Sequence, residues 1–360
     1  MVVFMDKSIS KTKEELMRSL KPAKSYLDSL ADFDDFLGTI KQAESAANEL
    51  IDETSQIAAS VKNTQSEASV ASSPNEEATE GSAEKPRSLD ELMARLDELV
   101  GLDNIKQSVK SLINLVKVRK LREENELPNP PLSLHMVFTG NPGTGKTTVA
   151  RILSELYRAI GVLSKGQLVE VDRSGLVAGF VGQTAIKTTE TVTSALGGIL
   201  FIDEAYSLAP EVGSGNDFGR EAIETLLKMM EDHRNDLIVI VAGYSEQMER
   251  FILSNPGLES RFNRYFEFED YNGEELNEIF GSMCSNSEYV LTEDAKGFVK
   301  KHFSVLYDMR DENFGNARYV RNFFEHIVSV HSDRVSALEG HTREDLTTIT
   351  LEDLVTATDS

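Results

Sequence analysis

Eight consecutive residues, Gly140-Asn141-Pro142-Gly143-Thr144-Gly145-Lys146-Thr147, carry the residue types and spacing that hold a polyphosphate, G-x-x-x-x-G-K-[ST]. Glycines let the backbone approach an anion with no Cβ in the way. A loop of this kind wraps N–H groups around phosphate oxygens and aims a helix N-terminus at them. Lys146 is expected to reach the β/γ-phosphates of a nucleoside triphosphate, and the Thr147 hydroxyl to ligate Mg²⁺. Further along, Ile199-Leu200-Phe201-Ile202-Asp203-Glu204 is an apolar run ending in two carboxylates. Asp203 is expected to hold Mg²⁺ through its water shell and Glu204 to polarise an attacking water as general base. The plain alternatives are a chance glycine-rich turn and an ordinary helix-start Asp-Glu pair. Their order, with one strand between them, favours the chemical reading.

These side chains need a scaffold. Leu134–Thr139 reads as a short buried strand before the loop, and Thr148–Ile160 as a helix with Val149, Ile152, Leu153 and Leu156 on one face. Further strand candidates are Leu168–Asp172, Gly198–Asp203, Leu237–Ala242 and Tyr265–Glu269, with helical stretches between them. Such alternation predicts an α/β fold, a doubly wound parallel sheet of five strands covered by helices on both faces. Past Asn272 the strand signals largely stop. Glu274–Cys284, Thr292–Phe303 and Ala317–Leu338 read as helices, a small α-helical domain following the nucleotide domain.

The N-terminal part differs. Leu16, Leu20, Leu27, Leu30, Phe33, Phe36, Leu37 and Ile40 recur at roughly helical spacing, interrupted at Pro22, so at least two helices are expected over 8–60. They suit a small bundle or an adaptor for a partner. Residues 62–88 are rich in Ser, Glu, Ala, Thr and Gly and read as a flexible linker. Ser88 and Glu91 then form a capping box where order resumes. The expected organisation is therefore 1–61 helical segment, 62–88 linker, 89–272 nucleotide domain and 273–360 helical lid with its tail.

Composition narrows the function classes. A formal net charge of -23 disfavours nucleic acid and anionic lipid as partners. The single cysteine, Cys284, excludes an intramolecular disulfide and a cysteine-based zinc site, and the six histidines show no metal-ligand spacing. No apolar run approaches the ~20 residues needed to span a bilayer. A cytoplasmic protein is expected.

The segments His135–Thr148, Gly197–Tyr206, Ala242–Tyr244, Asn255–Phe262 (NPGLESRF) and Gly315–Arg318 (GNAR) together resemble an AAA+ ATPase over residues 89 to 355. Within that superfamily the chain is similar to the family of stage V sporulation protein K and the red-type, CbbX-like Rubisco activase. The resemblance implies ATP and Mg²⁺ as cofactors and Asn141, Pro142, Gly143, Thr144, Gly145, Lys146, Thr147 and Thr148 as nucleotide contacts. It implies that Val100, Gly101 and Leu102 pack on the adenine. It implies that Arg261 is an arginine finger reaching a neighbouring subunit's γ-phosphate, with Arg264 a second candidate. Arg318 matches a lid cation, sensor 2, that reads the same phosphates. By position, Gly175–Gly182 matches a loop lining the central channel of a ring, with Phe180 and Val181 as its aromatic–aliphatic pair. For Phe180 the alternative is core packing. Glu211–Gly219 is either a second channel loop or an inert excursion. The place of sensor 1, Gly243-Tyr244-Ser245, stays open.

The resulting expectation is an ATPase working as a homo-oligomeric ring, a hexamer, that remodels or threads a protein client of unknown identity. The alternatives are a nucleotide-controlled scaffold, a Rubisco activase, whose compact form lacks the long N-terminal extension, and a DNA-handling motor, which the acidic charge opposes.

Overall fold

The computed structural model describes residues 87–359 apart from 131, 181 and 210–217. The expected N-terminal helices, nearly all of the linker, Val181 and most of the Glu211–Gly219 loop lie outside the described residues. In chain order the elements are α1 (Leu89–Asp97), α2 (Asp103–Glu124), β1 (Met136–Thr139), α3 (Lys146–Ala159), β2 (Leu168–Val171), α4 (Arg173–Leu176), α5 (Gln183–Ser194) and β3 (Ile199–Ile202). A 3₁₀ turn (Ala205–Leu208) leads on to α6 (Phe218–Asp232), β4 (Ile238–Gly243), α7 (Ser245–Leu253), α8 (Pro256–Arg261) and β5 (Tyr265–Glu267). The remainder comprises α9 (Gly273–Asn286), β6 (Val290–Leu291), α10 (Glu293–Asp308), α11 (Asn316–Ser336), α12 (Arg343–Thr347), β7 (Thr348–Ile349) and α13 (Leu351–Asp359).

All five expected strands form one parallel sheet in the order β2-β3-β4-β1-β5. Alternate side chains enter opposite faces, which is why the central strands are apolar throughout. Phe138, Phe201 and Ile240 pack with α1, α2 and α3, whereas Val137, Leu200, Val239 and Val241 pack with α5, α6 and α7. The four apolar positions read on α3 are all buried. The helix itself starts two residues earlier than its periodicity suggests, at Lys146, because Gly145 at φ 93 turns the chain directly into it. Ser88 and Glu91 make both bonds of their capping box.

His135 enters β1 neutral. Burial, with the Arg261 guanidinium adding to it, pushes its imidazole down to about 4, so Nδ1 can accept the Val239 N–H at 3.0 Å. His302 stacks on Phe323 and meets the Tyr319 hydroxyl at 2.9 Å, and His331 meets the Asp345 carbonyl at 3.0 Å.

The three expected lid helices are present as α9, α10 and α11. The lid also contains a short two-stranded parallel sheet, β6 with β7, that the sequence reading did not mark. Two-residue strands leave no periodicity to read. Arg334 closes this end of the lid with a bidentate bond to the buried Asp353 carboxylate, at 2.7 and 3.0 Å.

Candidate active site

The strand order decides the site. Because β4 lies between β1 and β3, the carboxyl ends of those three strands share one edge, where open α/β sheets bind ligands. Thr139 is in register with Gly243, and the Gly140 N–H donates to the Gly243 carbonyl at 3.2 Å. Asp203 and Glu204 follow β3 at the same edge. Glu204 has left-handed backbone (φ 47), a conformation that costs a non-glycine residue about 1–3 kcal/mol and clusters at functional positions. Its N–H donates to Asp203 Oδ1 at 3.0 Å, which holds the Asp203 carboxylate in place.

A cavity of about 660 Å³ opens at this edge, large enough for a nucleotide. Its lining includes Gly140, Pro142, Gly143, Gly145, Lys146, Thr147 and Thr148 from the loop, Asp203 and Glu204 after β3, and Gly243 and Tyr244 after β4. Val100, Leu102, Tyr271, Ile279 and Met283 supply an apolar end, and Arg318 and Arg321 come from the lid. Leu102 is buried with left-handed backbone (φ 59) directly after Gly101 at the same φ. The segment is thus a tight double turn that presents Val100 and Leu102, and not only a glycine turn after a helix.

Gly101, Asn141 and Thr144 are not among the residues that line this cavity. Asn141 turns its amide to Asp270, at 3.0 and 3.2 Å, and the Thr144 hydroxyl, fully buried, donates to the Asn141 carbonyl at 2.8 Å. Both side chains shape the loop from behind.

The residues present fit a Mg²⁺-nucleotide. Helix α3 has Gly145 as N-cap and no side-chain cap, so its first-turn N–H groups are donors without an intrahelical partner. Lys146 Nζ donates to the Gly140 and Asn141 carbonyls, both at 2.8 Å, and burial lowers its pKa to about 8. Nearby Asp203 and Asp270 raise it and Arg318 lowers it, which places the lid cation within electrostatic reach of the loop lysine. Thr147 and Asp203 also line an adjoining cavity of about 390 Å³. No group of three or more His, Cys, Asp or Glu side chains placed to hold a metal ion occurs among the described residues. A cation here would be held by Thr147, Asp203 and the phosphates, the manner in which Mg²⁺ is usually bound.

The lid rests on the loop. A Cβ on Gly143 (φ +73) would stand 2.4 Å from the Gly315 carbonyl and 2.7 Å from Arg318 N. Gly143→Ala is therefore expected to raise KM for ATP about tenfold, because the obstructing atoms are backbone and the φ is left-handed. Steady-state kinetics check this; a KM within twofold would show that the lid can withdraw without loss.

Arg261 lies elsewhere. It is not among the residues lining its own chain's cavity. Its Nη2 is 3.4 Å from Glu231 Oε2, its Nη1 donates to Gly257 O at 3.4 Å, and its Nε is buried without a hydrogen-bond partner. Arg264 is committed to the Ser133 carbonyl at 2.9 Å.

Phe180 is 71% exposed, so the core-packing alternative does not hold. Gly179 and Gly182 beside it have nothing within 4 Å of where a Cβ would stand. The root of this loop is fastened by a face of α5 that sequence reading missed. Thr184 accepts from Ala178 N, Thr188 and Thr191 donate to Leu176 O and Gly175 O, and Lys187 donates to Ser174 O and Val177 O. The spacing of these four residues along one helix was the available signal.

A five-stranded parallel sheet whose β1 loop, β3 carboxylates and lid cations converge on one cavity defines a P-loop nucleoside-triphosphatase with a helical lid. Residues 136–270 match the family "ATPase family associated with various cellular activities (AAA)", and 272–360 match its AAA lid domain. The chain is 42% identical over 267 residues to stage V sporulation protein K of Bacillus subtilis (74% of this chain, 82% of that protein). It is 40% identical to a chloroplastic ribulose bisphosphate carboxylase/oxygenase activase of Cyanidioschyzon merolae (75% and 92%) and 44% identical to protein CbbX of Cereibacter sphaeroides (64% and 74%). Among solved structures a point mutant of Thermotoga maritima RuvB aligns with TM-score 0.50 at 18% identity, over 73% of this chain and 71% of that one, a likeness of fold. The chain belongs to the AAA+ ATPases, in the family of stage V sporulation protein K and the CbbX-type proteins. It is an ATP-hydrolysing enzyme.

Proposed function

We propose that the chain acts as a ring of copies, a hexamer, in which ATP held by one subunit is hydrolysed with the help of the next and the motion is applied to a protein client. The observation that carries this reading is the position of Arg261, a cation held only by contacts of 3.4 Å that does not line its own chain's cavity. A neighbour is the natural recipient. The exposed Phe180 supports the second half of the reading, since an aromatic on a glycine-flanked loop can grip a polypeptide without reading its sequence.

In this scheme Lys146 and the first turn of α3 bind the β/γ-phosphates, and Val100 and Leu102 pack on the adenine. Thr147 and Asp203 hold Mg²⁺, which neutralises phosphate charge when bound. Glu204 takes the proton of the attacking water. Arg318 from the lid and Arg261 from the neighbour stabilise charge that develops on the transferring group. Tyr244 lines the cavity at the open sensor 1 place.

Phe180→Ala tests the threading half. It is expected to keep basal ATP turnover and lose about tenfold in stimulation by an unfolded, fluorescein-labelled polypeptide, the effect of removing one aromatic anchor. Undiminished stimulation would remove Phe180 from the grip. A ring with slow, client-independent turnover in both proteins would favour the scaffold alternative.

A further inference from the structure

Asn316 has no part in the chemistry described so far, yet it is a tightly constrained polar residue. Its side chain is fully buried and its backbone is left-handed (φ 49). Nδ2 donates to Asp270 Oδ1 at 2.7 Å, to Phe314 O at 3.0 Å and to Pro142 O at 3.3 Å, and Oδ1 accepts from Tyr271 N at 2.9 Å. Three acceptors on one side and an N–H on the other dictate which way the amide faces. The Asp270 carboxylate is shared, since Asn141 Nδ2 donates to both of its oxygens and Arg310 Nε lies 3.7 Å away. Tyr271 continues the contact, its hydroxyl donating to Thr144 O at 3.3 Å.

The partners come from three places. Pro142, Asn141 and Thr144 belong to the phosphate loop, Asp270 and Tyr271 to the junction after β5, and Asn316 itself to the first turn of the lid helix α11. One residue further, Ala317 N donates to Gly143 O at 3.2 Å. One residue beyond that is Arg318, which faces the cavity. A buried amide with all its groups satisfied holds a single arrangement, because shifting it would strand polar atoms away from water.

We propose that Asn316 is a positioning residue for ATP hydrolysis: through Asp270, Tyr271 and Pro142 it locks the start of the lid helix to the phosphate loop, and so sets Arg318 over the phosphates. Asn316 does not touch the nucleotide. The inference rests on the reading of Arg318 given above and deepens it.

Asn316→Gly is the variant of choice, because glycine accepts the left-handed backbone without strain while deleting the amide. In the full chain it is expected to lower kcat/KM for ATP about tenfold, the size of effect that loss of a buried, charge-assisted bond produces. The loss should be nested: Asn316→Gly with Arg318→Ala should match Arg318→Ala alone within about twofold in kcat/KM. Asp270→Asn, which weakens the shared acceptor from the other side, should behave the same way and serves if the glycine variant does not fold. A merely structural role predicts a lowered Tm with kcat/KM within twofold of the parent, and that result would overturn the proposal. An impaired Arg318→Ala whose losses multiply with those of Asn316→Gly would also overturn it, leaving Arg318 in place. A silent Arg318→Ala beside a defective Asn316→Gly would overturn both the role of Arg318 and the route through it.

Discussion

Arg261→Ala is expected to reduce ATP turnover by about 10³-fold or more, the value of an arginine finger in phosphoryl transfer. Nucleotide binding should change little, because Arg261 does not line its own chain's cavity. Arg261→Ala subunits retain Glu204, and Glu204→Gln subunits retain Arg261. In a randomly mixed equimolar ring about one quarter of the shared sites then pair an intact base with an intact finger, so two inactive proteins should regain partial activity on mixing. Turnover should also fall per subunit on dilution. A mixture no better than its components, or full activity in dilute monomer, would remove the shared site. The contact with Glu231, 3.4 Å away and exposed, is weak enough for the guanidinium to exchange it for a phosphate.

Glu204→Gln is expected to lower kcat by about 10²–10⁴-fold, the contribution of a positioned general base, with KM for ATP unchanged or lower. The amide keeps the shape and the left-handed backbone of Glu204 and removes only its basicity. Asp203 keeps its place, because the bond it accepts comes from the backbone N–H of residue 204 and survives the substitution. ATP should therefore bind and remain, which a filter-binding or fluorescent-nucleotide titration would show together with a stopped phosphate-release assay. Vigorous turnover would exclude Glu204 as the base. Because the variant holds ATP, it also stabilises whatever client complex the ring forms, and pull-down with and without residues 1–87 would report what the N-terminal segment recruits.

Local patterns were legible wherever backbone and chemistry coincide. Gly145 before Lys146 marks both the start of α3 and the phosphate cradle, since a left-handed glycine is what lets an uncapped helix face an anion. The carboxylates after β3 and the apolar faces of α3 were readable for the same reason. Pairs held by tertiary packing were not. Asn316, Asp270 and Asn141 are separated widely in sequence and meet only because the lid folds back on the loop. Their side chains are ordinary polar residues until that contact buries them. The motif shows that Asn141 and Thr144 belong to the loop, but not that the Asn141 amide meets Asp270 or that the Thr144 hydroxyl bonds back to the Asn141 carbonyl.

The order of residues along the chain by itself determined that a polyphosphate loop, an acidic strand end and a helical tail exist, because glycine conformation, apolar alternation and helix capping are properties of neighbours. Only the tertiary structure decided that β4 would enter between β1 and β3. That crossover sets Gly140 against Gly243 and brings Glu204 and Lys146 to one cavity while leaving Arg261 outside it. Strand order is chosen by how whole helices cover both faces of the sheet, and no local pattern in the sequence records that choice.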